Sequence, residues 1–441
     1  MLLRNLIDGL DVEEIRGETD INIGNIAYDS RKAVKDSLFV CIEGTITDGH
    51  IYIQEAVENG ASAVLIQKEV PVPQGITSVR IKDTRYGLAH VSSRFFDNPS
   101  KKLKLVGITG TKGKTTTTFM VKNILEAAGL KVGLIGTVMN LIGNEPVYAG
   151  RTTTPESYDL QSLFSDMVEK NTDCAVMEVS SQALKLNRVS CSDFDIGVFT
   201  NLYKDHISPL EHKDIDEYLF EKTRLFKMCK EGLVNVDDPN AGRVLKETKC
   251  KVYTYGVAQD CDIRAQNIVK HPDSVEFDVE SRWAREHVKV GIPGLFSVYN
   301  ALAAIGVCFL MGIDGKFIRE GLERVKVPGR AEVVETNMDF TVMVDYAHTA
   351  DSLQSILSTV RDFARGRVVC VFGCGGNKDR GRRFGMGEVS GNLADFTIIT
   401  SDNPRSEDPA QIINDIETGI KKTKGKYIKI EDRREAIKYA I

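Results

Sequence analysis

The chain has 441 residues, 42% of them hydrophobic, with 57 basic against 62 acidic side chains and a net charge of −5. That balance excludes a broad electrostatic pull toward nucleic acid or an anionic membrane, so an anionic ligand has to be held by local groups. Nine scattered cysteines without CxxC or Cys/His ligand spacing argue against a disulfide framework or a structural zinc site and fit a reducing, cytoplasmic setting. The start, MLLRNLIDGLDVEEIRG, carries acidic residues and no long apolar core, so it reads as neither a secretory signal nor a transit peptide.

A chain of this length predicts about three domains, and the pattern is α/β throughout. Residues 1–102 hold short strand-like runs at Asp36–Ile42, Ala63–Ile66 and Ser78–Ile81, with a helix-like segment at Ile53–Asn59, and close on the turn Asp97-Asn-Pro-Ser100. Residues 103–328 alternate strands with helices: Leu103–Thr109, Lys131–Gly136, Cys174–Val179, Ile196–Asn201 and Leu233–Val236. That alternation implies right-handed crossovers onto a largely parallel sheet. Ser274–Val279 and His287–Val290 read as an appended hairpin. The apolar run Ala301–Met311 falls short of the roughly 20 residues that span a bilayer, and reads as a buried helix. From the turn Val327-Pro-Gly-Arg330, residues 329–441 form a smaller doubly wound domain with strands at Phe340–Val344, Val368–Phe372, Phe396–Thr400 and Tyr427–Ile430. The sequence stops inside the helix Arg433–Ile441, so this domain is expected to be incomplete.

Gly107-Ile-Thr-Gly-Thr-Lys-Gly-Lys-Thr-Thr116 follows an apolar strand and opens a helix carrying Phe119, Ile124 and Leu125. Such a loop is an anion cradle: backbone N–H groups and the positive helix end take phosphate oxygens, Lys114 reaches the terminal phosphates, and the Thr115 hydroxyl can ligate Mg²⁺. Gly110 inside the loop makes it a variant of the common phosphate loop.

The segment Gly110, Thr111, Lys112, Gly113, Lys114, Thr115, Thr116 resembles the ATP loop of Mur ligases. The resemblance runs in order through Thr152-Thr-Thr-Pro-Glu-Ser157, Met177-Glu-Val-Ser-Ser181, Thr200-Asn-Leu, Asp205-His206, Asp345-Tyr-Ala-His-Thr349, Gly373-Cys-Gly-Gly376 and Asp402-Asn-Pro-Arg405. It implies an N-terminal UDP-binding module, a central P-loop-type parallel sheet and a C-terminal Rossmann-like domain. It also implies an ATP-dependent ligase of peptidoglycan precursor synthesis that activates a carboxylate as an acyl phosphate. The implied substrates are a UDP-MurNAc-dipeptide and a free amino acid, without nucleic acid or membrane insertion, handled by a monomer.

Within that resemblance Glu178 and His206 are expected to hold Mg²⁺ with Thr115. Lys222 matches the lysine that the family carbamylates into a metal ligand; on residue type alone it would be a solvated helix lysine. His212 is expected at the surface. Asn300, expected to begin a helix, can read the adenine edge, Asp345 the ribose, and Arg330, at the hinge, the ATP phosphates. Tyr28-Asp-Ser-Arg31, including Ser30, resembles the UDP site. Thr153, Thr154, Ser180 and Arg188 match positions that hold the UDP-muramoyl-dipeptide.

Asp402, Asn403, Pro404 and Arg405 form the motif of members that add meso-diaminopimelate, whose distal carboxylate an arginine can take bidentately; L-lysine would present a cation there. The same residues also suit a plain Asn-Pro turn. Lys378 stands where such members carry arginine, and the family's terminal Gly-Lys-Gly-His-Glu segment does not appear. Three other readings follow: a Mur-type ligase adding L-lysine, a folylpolyglutamate-type ligase, and a nucleotide-binding paralogue without ligation. Folate-type members resemble the chain only from the ATP loop onward.

Overall fold

The computed structural model describes residues 1–44, 47–148, 152–203, 207–208 and 211–441. Two compact units are present: one comprises 1–265, 279–286 and 299–322, the other 266–278, 287–298 and 323–441.

The first unit begins with five strands, β1 (Val12–Arg16), β2 (Asn25–Ala27), β3 (Ser37–Val40), β4 (Ala61–Ile66) and β5 (Thr77–Ile81), in the order β1-β5-β4-β3-β2. All neighbours are parallel except β1 with β5. Successive side chains of a strand point to opposite faces. Accordingly Leu38, Val40, Ala63 and Leu65 enter one apolar cluster, while Phe39, Val64 and Ile66 enter another on the opposite face, which Ala61 joins across a register shift between β3 and β4. The sequence pattern locates β3, β4 and β5 because they are buried on both sides. It misses β1, a partly exposed edge strand, and β2, which has only three residues.

The central sheet contains β6 (Lys104–Thr109), β7 (Val132–Ile135), β8 (Asn140–Ile142), β9 (Glu145–Val147), β10 (Cys174–Glu178), β11 (Phe194–Phe199), β12 (Cys229–Asn235) and β13 (Lys251–Gly256). Their order is β13-β12-β11-β6-β10-β7-β8-β9, and every pair from β13 to β7 is parallel. Beyond β13 the sheet continues through β14 (Ile263–Lys270), β15 (Val275–Ser281) and β16 (Arg285–Val290), so the expected hairpin is present with a further strand before it. Leu160, Phe164 and Met167 of the helix Ser157–Glu169 pack with Leu105, Met177, Phe194 and Phe199 in the core. Because β6 lies between β10 and β11, the loops leaving these three strands open at one place, where open α/β sheets bind ligands.

In the second unit β19 (Val369–Phe372), β20 (Phe396–Ile399) and β21 (Tyr427–Lys429) form a parallel three-stranded sheet with helices Ala350–Phe363, Gly381–Leu393, Pro409–Ile420 and Arg433–Ala440. The expected strand at Phe340–Val344 is shorter and lies elsewhere. It is β18 (Val342–Val344), paired antiparallel with β17 (Glu332–Val334) in a separate ribbon. Its side chains are exposed or half-buried, so an apolar run here does not enter the parallel sheet.

Helices Gly381–Leu393 and Pro409–Ile420 approach so closely that a Cβ on Gly387 would strike the Ile416 carbonyl oxygen. The same crossing buries Arg383, 1% exposed, which donates to Asp415 at 2.9 Å and to both oxygens of Glu407 at 2.8 and 2.9 Å. Arg380, followed by Arg383, holds the Asp415 carboxyl below the usual carboxylate range against the opposing effect of burial. Asp415 keeps Arg380 when Arg383 is removed, so the loss is that of hydrogen bonds to charged groups, about 1.5–3 kcal/mol. Arg383→Met is therefore expected to lower the stability of this unit by that order in urea unfolding at pH 7. A carboxyl depressed on folding contributes stability above its unfolded pKa, about 3.9, and loses it as pH falls through the lower folded value. The deficit of Arg383→Met should therefore narrow below about pH 4; a deficit independent of pH would contradict the assignment.

Candidate nucleotide and substrate site

The loop after β6 is held in place by the neighbouring loops. Gly110 takes φ +144°, and a Cβ there would collide with the Thr200 hydroxyl, so the close approach of the two loops requires glycine. Thr200 Oγ1 donates to the Lys112 carbonyl at 2.7 Å, and Asn201 Oδ1 accepts from Lys112 N at 2.8 Å. Gly113, at φ +87°, precedes the helix Lys114–Ala127, whose Phe119, Ile124 and Leu125 are buried as expected. Lys114 Nζ curls over the loop onto the carbonyls of Gly110 and Thr111 at 2.9 and 3.1 Å. Thr116 is buried in the first turn of that helix.

Glu178, the last residue of β10, is 1% exposed. Thr115 Oγ1 donates to its Oε1 at 2.9 Å, Thr137 N donates to Oε1 at 2.9 Å, and Thr137 Oγ1 to Oε2 at 3.1 Å. Thr137 Oγ1 also lies 3.0 Å from Thr153 Oγ1. Thr154 Oγ1 donates to the Glu178 carbonyl at 2.9 Å and accepts from Ser180 N at 3.1 Å, while Ser180 caps the helix Ser181–Lys185. Arg188 reaches the Thr154 carbonyl at 3.2 Å and Glu156 at 2.9 Å, and Arg85 reaches the same Glu156 from the helix behind the N-terminal sheet at 3.3 Å. The structure thus brings together Thr115, Glu178, Thr153, Thr154, Ser180 and Arg188. A hydroxyl beside a buried carboxylate is a hard oxygen set that fits Mg²⁺.

Lys222 is 1% exposed rather than solvated: its Nζ donates to the Gly110 carbonyl at 3.0 Å and stands 4.3 Å from the centre of the Tyr218 ring. Tyr218 Oη in turn lies 3.1 Å from Thr111 Oγ1. His206 lies outside the described residues. His212, expected at the surface, is 1% exposed; its Nε2 is 2.9 Å from Ser181 Oγ and its ring packs on Tyr218 at 5.0 Å. The tertiary fold instead places it against Ser181 and Tyr218, on two different helices.

Asn300 does not begin its helix, which runs Leu295–Leu310; the preceding apolar Leu295–Val298 join the helix instead of a turn. Its buried amide Oδ1 lies 3.5 Å from Thr117 Oγ1 and faces Gly113. Ser30 is buried and donates to Glu55 at 2.7 Å. Tyr28 donates to Asp159 at 2.5 Å, and burial first, then Asp159, pushes its phenol well above its ordinary range.

In the second unit Arg330 stacks on Tyr346 at 4.4 Å, and Asp345 accepts from Ala331 N and Ala347 N, each at 2.8 Å. The loop Asp402–Arg405 packs against Gly373–Gly376: Gly376 N donates to the Asn403 carbonyl at 2.8 Å, a Cβ on Gly376 would strike the Pro404 carbonyl, and Arg405, at φ +52°, donates to the Gly376 carbonyl. Lys378 is exposed on the adjoining turn. Asp402 also borders a groove of about 540 Å³ lined by Ser401, Glu431, Asp432 and Arg433. Thr137, Glu156, Tyr218 and Asn201 join the site beyond the residues expected from the sequence. Of these, Glu156 and Asn201 lie inside quoted motifs, whereas nothing in the sequence marks Thr137.

A phosphate loop on a central parallel strand, backed by a buried carboxylate from the next strand, defines a nucleotide-using enzyme. Residues 22–96 match the description Mur ligase family, catalytic domain, residues 108–308 the Mur ligase middle domain, and residues 329–441 the Mur ligase, glutamate ligase domain. The chain is 47% identical, over all of its length and 91% of the relative's, to UDP-N-acetylmuramoyl-L-alanyl-D-glutamate–2,6-diaminopimelate ligase of Caldanaerobacter subterraneus subsp. tengcongensis. It is 48% identical, over all of its length and 90% of the relative's, to the protein of that name from Alkaliphilus metalliredigens. A solved structure of a UDP-N-acetylmuramoyl-L-alanyl-D-glutamate–2,6-diaminopimelate ligase superposes with TM-score 0.74 at 27% identity, covering all of this chain and 90% of that one. Mycobacterium tuberculosis folylpolyglutamate synthase shares the fold at TM-score 0.67 and 19% identity, over 81% of this chain and 87% of its own. The chain belongs to the Mur ligase family, and it is an ATP-dependent ligase.

Gly110→Ala is expected to push the phosphate loop off Thr200 and weaken ATP binding at least tenfold, with the secondary structure retained. Isothermal titration with an ATP analogue, beside a far-ultraviolet dichroism spectrum, checks both parts; native affinity would show that the loop tolerates the collision.

Proposed function

We propose that this ligase joins meso-diaminopimelate to the γ-carboxyl of D-glutamate in UDP-MurNAc-L-Ala-D-Glu, with ATP converted to ADP and phosphate. The observation that carries the reading is Glu178: one buried carboxylate is bonded by Thr115 of the phosphate loop and Thr137, while its own carbonyl holds Thr154. Phosphate and dipeptide are thereby held on one rigid strand end. The N-terminal block matched at residues 22–96 favours a UDP-linked substrate over folate.

A carboxylate is a poor acylating agent, because its oxygen is a poor leaving group. The γ-phosphoryl of ATP passes to the glutamate oxygen, ADP leaves, and the amine attacks the acyl carbon and expels phosphate. Loop N–H groups, the helix N-terminus and Lys114 stabilise the charge on the transferring group. Thr153, Thr154, Ser180 and Arg188 hold the dipeptide end, Ser30 the uridine end, Asn300 the adenine edge, Asp345 the ribose, and Arg330 the ATP phosphates. Thr115, Glu178, His206 and a carbamylated Lys222 would hold Mg²⁺, which neutralises phosphate charge. Burial of Lys222 favours the carbamate, since an ammonium beside the metal would repel it and the carbamate oxygen would ligate it. In the second unit Lys378 and the loop Asp402, Asn403, Pro404 and Arg405 receive the amino acid. The reaction is assigned to the cytoplasm and to a monomer; among the described residues no helix is long and apolar enough to cross a membrane.

Amino-acid-dependent phosphate release from UDP-MurNAc-dipeptide, ATP and Mg²⁺ tests the reading, and ATP binding without such turnover would sink it. A charge-assisted pair contributes roughly 1.5–3 kcal/mol, or about ten- to a hundredfold. Accordingly kcat/KM for meso-diaminopimelate should exceed that for L-lysine by that order, and Arg405→Ala should shrink the gap; equal use by the unmodified chain would overturn the amino-acid assignment alone. Lys222→Ala is expected to be inactive and to recover turnover with short carboxylic acids such as acetate, whereas normal turnover without additives would remove the carbamate.

A further inference from the structure

Of the nine cysteines, Cys229 and Cys250 are the two whose sulfurs touch among the described residues, with Sγ atoms 3.6 Å apart. They lie 21 positions apart in sequence, and the sheet brings them together: Cys229 opens β12 and Cys250 immediately precedes β13. The register pairs Glu231 with Lys251, which sets Cys250 beside Lys230, one residue along from Cys229. Regular alternation would turn Cys229 away from Cys250, so the sulfur contact marks Cys229 as an irregular first residue of β12. A disulfide has an S–S length of about 2.05 Å, so the two sulfurs need approach by only roughly 1.5 Å.

Both sulfurs lie on the same face. A Cβ on Gly197 would meet Cys229 Sγ at 2.8 Å, a Cβ on Gly232 would meet Cys250 Sγ at 3.3 Å, and Gly197 and Gly232 are register partners on β11 and β12. Two glycines thus clear space for two thiols. Both cysteines are partly exposed, whereas Cys41, Cys174, Cys308, Cys370 and Cys374 are buried. The two are far from equivalent: the contact between the sulfurs holds the Cys250 thiol below its ordinary range, while that contact and burial push Cys229 up.

We propose that Cys229 and Cys250 form a dithiol site that is closed to a disulfide by exchange with a low-molecular-weight disulfide. The Cys250 thiolate attacks one sulfur of the small disulfide, expels one thiolate and leaves a mixed disulfide on Cys250. Cys229 then loses its proton to solvent, attacks the Cys250 sulfur and expels the second thiolate. Two protein thiols give up two electrons and two protons; the small disulfide accepts both and leaves as two thiols. The new bond closes a loop through β12, the Asp237-Asp238 turn and the helix Ala241–Glu247, so it restrains the unfolded chain. Neither cysteine touches the phosphate loop or Glu178, so reduced enzyme needs neither thiol for turnover.

The test incubates the full chain with glutathione disulfide or with dithiothreitol, then alkylates it under denaturing conditions and maps the peptides by mass spectrometry. Expected are a peptide pair cross-linked through Cys229 and Cys250, lighter by two hydrogen atoms than the reduced pair, and a Tm several degrees above the reduced chain. Cys229→Ser should carry a lasting glutathione adduct on Cys250, gain no Tm, and keep the turnover of reduced wild type. Full alkylation of both residues in the glutathione-treated wild type, or lasting adducts on both without a cross-link, would overturn the proposal.

Discussion

A carboxylate taken out of water must be met by donors, and the way Glu178 meets that demand organises the ligand end of the central sheet. Its oxygens are satisfied by three donors from two separate segments, one hydroxyl from the helix after the phosphate loop and two groups of Thr137. Its backbone carbonyl binds Thr154, which positions Ser180 and, through its own carbonyl, Arg188. Loss of Thr115 or Thr137 would leave the buried carboxylate short of a donor and loss of Thr154 would leave the carbonyl short of one, so these segments are coupled through one residue.

Parallel packing supplies the other half of that constraint. With β6 flanked by β10 and β11, the phosphate loop has a neighbour on each side, Glu178 from one and Thr200 with Asn201 from the other. These bonds tie the loop backbone down, and backbone held by the protein costs a ligand less entropy to order. Lys222 extends the arrangement by bonding the Gly110 carbonyl from a helix that begins more than a hundred residues later.

The second unit uses the same device with ions. Glu407 accepts from Arg383 and from the backbone of Asn377, whose side chain binds Ser406 at 3.0 Å, so the loops carrying Lys378 and Arg405 are held by one network anchored on the buried Arg383. Helix crossing, ion pairing and the loops bearing Lys378 and Arg405 are therefore a single mechanical piece in that unit.

The sequence by itself determined the α/β class, the doubly buried strands and the phosphate loop. Local periodicity and the run of glycines, lysine and threonines encode these within a few residues of each other. It also carried the motif residues Glu178, Thr154 and Arg405 through their order along the chain. The three-residue β2, the ribbon of β17 and β18 and the true start of the helix bearing Asn300 were not legible, because edge pairing and helix entry depend on what covers each face. Thr137 beside Glu178, the burial of His212 and Lys222, and the contact of Cys229 with Cys250 were decided by the tertiary structure alone. Each joins segments whose proximity follows from strand order, and strand order is a property of the assembled sheet rather than of any stretch of the chain.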